Sequence, residues 1–150
     1  MNNLQDVKKD LLRDGYCILR SFMPLELIND LKSAITDQCN YIAKKNNIEI
    51  DASSSLDEIY NLLCSHDRNL GSVIFENVMN LPEFLSLVSF KSIRNVAKNF
   101  LDSNILFSPP NSNTFRIDKR GEDEHLLNWH QDYTYEFLSD PSLTFWVPIF

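Results

Sequence analysis

The spacing of apolar residues changes once along this 150-residue chain, near Asp102. Before that point apolar side chains recur every three or four residues, the period of a helix with one buried face. After it they fall into short runs with two-residue alternation, the period of a strand. The change predicts an α+β fold in one domain, 1–150, with 1–101 mainly helical and 102–150 mainly strands.

Local signals place the elements. Leu4, Val7, Leu11 and Leu12 share a helical face, and Gly15 sits where a C-terminal stop belongs. "YCILRSF" (16–22) has the β-branched and aromatic content of a short strand. Pro24 opens a long amphipathic helix carrying Leu27, Ile28, Leu31, Ala34, Ile35 and Ile42. The serines at 53–55 offer an N-cap for a helix with Leu56, Ile59, Leu62 and Leu63 on one side. "NLPEF" (80–84) repeats the cap-then-proline pattern, and the helix after it turns Ile93, Val96, Ala97 and Phe100 inward. Beyond Asp102, "NILFSPPNSNTFRID" is β-type sequence broken by a Pro-Pro turn, and "KRGEDEH" is a polar loop. "LLNWHQDYTYEFL" and "SLTFWVPIF" give two more strand expectations. In the last, Leu143, Phe145, Val147 and Ile149 share one face, and both faces are apolar enough to expect cover on both sides. An apolar strand running to Phe150 with no turn or polar tail is expected of the N-terminal part of a larger fold.

Composition narrows the function. A net charge of −7 without a basic cluster argues against nucleic acid or an anionic membrane as a partner. No apolar run approaches a membrane span, and the N-terminal "MNNLQDVKKDLLRDG" has no secretory h-region. Cys17, Cys39 and Cys64 are widely spaced and odd in number, the pattern of reduced thiols in a cytoplasmic protein. The expected partner is a small-molecule substrate, and oligomeric state is not legible.

The chemistry-bearing stretch is "LLNWHQDYTY" (126–135). In a strand, residues i and i+2 point to one side, so His130 and Asp132 would aim an imidazole nitrogen and a carboxylate oxygen at one point. That is two-thirds of the two-histidine, one-carboxylate triad of non-haem Fe(II), which leaves three positions open for co-substrate and O₂. With three histidines and 21 acidic residues, chance alone gives roughly 0.4 such pairs, so the spacing by itself decides nothing.

Context adds to it. "NWHQDYTY" followed by "TFWVPIF" resembles the phytanoyl-CoA dioxygenase family of Fe(II)/2-oxoglutarate oxygenases. So does "LLRDGYCILRSFMPLELINDLKSAI": a helix, then D-G-Y, a short strand and a proline-initiated helix. The resemblance covers both ends of the chain, while about 45–100 is only generically compatible. It implies helices packed on the first strands of a double-stranded β-helix, jelly-roll or cupin-like and incomplete at the C-terminus. It implies His130 and Asp132 as ligands of Fe(II), 2-oxoglutarate and O₂ as co-substrates, and Trp146 beside the 2-oxoglutarate pocket, with a core aromatic as the equal alternative. Arg116 could face that pocket, or pair with Asp118 or Glu122. Tyr133 and Tyr135 could line a substrate mouth or be half-buried strand tyrosines. His66 and His125 are ordinary polar residues, because the family places its second histidine ligand after the pair.

Here the chain departs from the pattern. After Asp132 there is no histidine, and no arginine to clamp the distal carboxylate of 2-oxoglutarate. The expected function is a hydroxylase of this type when complete, with the 150-residue chain alone inactive. The rival from another class is a non-catalytic interaction module on the same scaffold. A halogenase is disfavoured, because Asp132 fills the position that chloride would need.

Overall fold

The computed structural model describes residues 4–108, 112–117 and 141–149. Among them are six helices: α1 (Leu4–Asp14), α2 (Leu25–Lys45), α3 (Leu56–His66), α4 (Arg68–Val78), α5 (Pro82–Val88) and α6 (Lys91–Phe100).

The helix ends follow local chemistry. At the end of α1, Gly15 takes φ +79 and its N–H reaches Leu11 O at 2.9 Å. A side chain would strain that left-handed conformation, so glycine closes the helix there. Pro24 stands at the N-cap of α2, where its missing N–H costs nothing. Ser55 caps α3 reciprocally with Glu58: Glu58 N–H donates to Ser55 Oγ at 3.3 Å, and Ser55 N–H donates to Glu58 Oε2 at 2.7 Å. Asp67 ends α3 and caps α4, its Oδ1 accepting from Asn69 N–H at 2.9 Å.

The Ser55–Glu58 box is acid-sensitive. Bonds from the Ser55 backbone and hydroxyl hold the Glu58 carboxyl below its ordinary value. A carboxylate with a lowered folded-state pKa stabilises the fold above its unfolded pKa, about 4.3 for glutamate, and loses that contribution as pH falls through the folded value. Ser55→Ala is expected to cost about 1 kcal/mol at pH 7. The gap from wild type should narrow below about pH 4, where protonated Glu58 no longer accepts as strongly. Urea midpoints of both proteins at pH 7 and pH 3 check this; a gap independent of pH would mean the box is not closed in solution.

α2 is the central strut. Its Leu31, Ile35, Cys39 and Ile42 are buried at spacings of three and four, and it packs against α3, α4 and α5. Ile59, Tyr60, Leu63 and Cys64 of α3, Ile74 and Val78 of α4, and Phe84 and Leu87 of α5 complete one core. α1 lies on α6, with Val7, Val96 and Ala97 buried. Lys8 Nζ ties the pair by donating to Asn99 O at 2.9 Å and Asp102 Oδ1 at 2.8 Å, a cation at the C-terminal end of α6 where the helix dipole favours one. No single helix among the described residues is long and apolar enough to cross a membrane. The run Arg68–Val78 with Pro82–Phe100 passes on length and composition only as a pair, across a 55° bend. Its apolar residues Ile74, Val78, Phe84 and Leu87 are buried in this core, which accounts for their apolarity.

The α+β expectation is corrected. The described residues are helical with no strand, so neither the double-stranded β-helix nor the strands placed after Asp102 appear among them. Two-residue alternation dictates which side chains face inward, but a strand also needs a neighbouring backbone to bond. The segment 142–149 keeps the alternation: Leu143, Phe145, Val147 and Ile149 are half-buried, and Ser142, Thr144, Trp146 and Pro148 are exposed. It forms no ladder with the other described residues, and Pro148 has no N–H to give one. In 16–22 the run is broken at Ser21, whose φ is +52. Around 103–113, Ser103 bonds locally to Ile105, and Ser108 to Asn113, in place of a cross-strand partner. The strand and loop expectations for 118–140 and the Pro-Pro turn at 109–110 lie outside the described residues.

Candidate functional site

Of the site residues singled out from the sequence, Arg116 and Trp146 are described, and they meet. In 112–117, Phe115 is buried at 8% exposure and joins the helical core, with Ile117 packed against the same core. In 142–149, Val147 and Ile149 do likewise. These apolar anchors dock two segments distant in sequence onto the helical core. Arg116 and Trp146, each next to an anchor, then face each other. Arg116 Cζ stands 5.8 Å from the centroid of the Trp146 ring, a cation–π contact of about 0.5–1 kcal/mol at an exposed site.

Trp146 is 72% exposed, so it is no core aromatic, and Arg116 is half-buried. The arrangement offers a guanidinium, which can fork onto a carboxylate, against a flat apolar surface. His130, Asp132, Tyr133 and Tyr135 lie outside the described residues, as do His125, Asp118 and Glu122. His66 is exposed in the last turn of α3, away from any described metal-type cluster. Among the described residues no group of three or more His, Cys, Asp or Glu side chains is placed to hold a metal ion.

The chain matches the family model of phytanoyl-CoA dioxygenase (PhyH) over residues 11–149. The chain belongs to the phytanoyl-CoA dioxygenase family. The match spans nearly its whole length, including the helical middle that the sequence motifs left open. Neither curated proteins nor solved structures give a match. Membership gives the H-x-D pair at 130–132 a context that its spacing alone lacks. The donor set fits Fe(II) in kind: a neutral imidazole and a carboxylate are two members of the facial set that metal takes. No histidine follows Asp132 within these 150 residues.

Tyr60, Cys64, Arg68 and Gly71 recur at spacings of four, four and three, and converge where α3 meets α4. The Asp67 cap starts α4 directly after α3, and the two helices pack on each other.

Proposed function

We propose that this member of the phytanoyl-CoA dioxygenase family is an Fe(II)/2-oxoglutarate-dependent oxygenase acting on a small molecule, carrying here the first two of three metal ligands. The observation that carries the reading is the family match over 11–149 with His130 and Asp132 inside it. Bound Fe(II) and 2-oxoglutarate would together supply the oxidising power for hydroxylation by O₂.

The chain's own residues do the positioning. His130 and Asp132 would hold the metal through imidazole and carboxylate, and keep its remaining face open. Arg116 would take a carboxylate of 2-oxoglutarate, and the exposed Trp146 ring would wall that site and shed water from it. Held over the ring, the guanidinium is partly pre-organised, which lowers the entropy lost on binding. The acidic surface and reduced thiols suit a cytoplasmic enzyme.

The test is anaerobic titration of the chain with Fe(II) and 2-oxoglutarate, followed by tryptophan fluorescence. Weak Fe(II) binding is expected, with a fluorescence change on adding 2-oxoglutarate that is lost in Arg116→Met. Loss in Trp146→Phe would assign the signal to Trp146 over Trp129. If both variants respond as wild type does, Arg116 and Trp146 do not border the co-substrate. No Fe(II) binding at any concentration would favour a non-catalytic module.

A further inference from the structure

Asp14 is followed by Gly15, the one Asp-Gly step in a sequence that has no Asn-Gly. The amide nitrogen after an aspartate can attack the side-chain carboxyl and close a five-membered imide. Glycine, with no Cβ, hinders that attack least. Here the step lies at the exposed end of α1, and a Cβ built on Gly15 would meet nothing within 4 Å. There is room for the ring, and water has access to open it.

Two restraints oppose the attack. Gly15 N–H donates to Leu11 O at 2.9 Å, which commits the nitrogen to the helix. The Asp14 carboxylate is held in a fork: Arg13 Nε donates to Oδ1 at 2.8 Å and Nη2 to Oδ2 at 2.6 Å. Asp10 Oδ1 takes the same Nη2 at 3.0 Å and steadies the guanidinium from the preceding turn. Hydrogen bonds from Arg13 hold the Asp14 carboxyl below its ordinary value, and the guanidinium charge adds to them. An ionised carboxyl is a poor electrophile, because only the neutral form loses water readily.

We infer that Asp14–Gly15 is a site of spontaneous aspartyl isomerisation, kept latent by Arg13 and opened by fraying of the last turn of α1. Helix ends open locally at far lower cost than a core does. When the turn opens, the Gly15 nitrogen gives its proton to solvent and bonds to Asp14 Cγ. The Cγ–OH bond breaks, and the hydroxyl leaves with a proton as water. A second water then opens the imide. Attack at Cγ restores aspartate; attack at the main-chain carbonyl leaves the backbone running through the Asp14 side chain. The isomer has the same mass and charge, one more backbone carbon and a free carboxylate on Cα. Gly15 N–H then falls out of register with Leu11 O, and α1 loses its stop.

The test ages the whole chain near neutral pH and follows its Asp14 peptide by chromatography with electron-based fragmentation, which separates isomers of equal mass. A synthetic peptide of residues 10–20 gives the unrestrained rate. The folded chain is expected to isomerise several-fold more slowly than the peptide. Arg13→Gln keeps a helix-forming side chain, removes the charge and is expected to speed the folded chain about twofold or more, a modest effect because exposed pairs are screened. Arg13→Lys should restore part of the protection. A lowered carboxyl pKa protects above its folded value and not below it. The gap between wild type and Arg13→Gln should therefore close as pH falls below about 3.9, where both carboxyls become neutral. Added salt should narrow it too. A substitution that merely loosened the helix would keep its gap in acid and in salt, and that result overturns the role of Arg13. Equal rates in the folded chain and the peptide, or in wild type and Arg13→Gln near neutral pH, overturn the inference. So does absence of the isomer from both folded proteins while the peptide converts.

Discussion

Replacing Asp132 by alanine is expected to remove Fe(II) binding by this chain and any hydroxylation supported by a form that supplies the third ligand. The carboxylate is the only anionic donor in the proposed set, so its loss removes both a bond and the charge that offsets the metal. Disturbing even a group that merely supports a ligand typically costs 10–100-fold in affinity, and a direct donor should cost more. Alanine would also leave to water the position that Asp132 would hold on the metal. Asp132→Glu keeps the carboxylate with a longer reach and is expected to retain a little of both properties. Competition with a chelator under anaerobic conditions gives the affinity, and succinate formation from 2-oxoglutarate gives turnover. The order expected is wild type, then glutamate, then alanine. Unchanged Fe(II) affinity in Asp132→Ala would show that the iron is held elsewhere.

How far the sequence discloses this molecule depends on how local each determinant is. Gly15, Pro24 and Ser55 are legible as helix punctuation because each acts on the backbone within a few residues, and all three do so here. The start of α4 escaped because Asp67 serves two helices at once, closing α3 and capping α4. Strand formation was over-read for a non-local reason. Alternation in 142–149 is realised as alternating burial, yet a strand requires a second backbone that the segment does not itself encode. Nothing about Ser21 in the sequence marks the positive φ that breaks 16–22. Arg116 and Trp146 could each be named from their setting, but their meeting depends on Phe115 and Val147 docking on the same core. His130 and Asp132 are legible only as chemistry.

The second large effect concerns the helical core on which those segments dock. Leu63→Ala is expected to destabilise the fold by about 2–5 kcal/mol. Leu63 is 0% exposed on α3 and belongs to the core shared by α2, α4 and α5. Removing its branched end forfeits transfer energy and leaves a cavity that helices fixed on several sides cannot fully close. Total stabilities of about 5–15 kcal/mol make that a large share of what holds the chain folded. Its neighbour supplies the control. Leu62 is 39% exposed, so Leu62→Ala removes atoms already partly in water and should cost under about 1 kcal/mol. The two variants carry the same chemical change at adjacent positions with the same helix propensity, so only burial distinguishes them. Urea unfolding followed by far-ultraviolet circular dichroism should separate their midpoints clearly. Equal midpoints would mean that the face of α3 carrying Leu63 is not packed against α2 in solution. The platform that brings Phe115 and Val147 together, and with them Arg116 and Trp146, would then be lost.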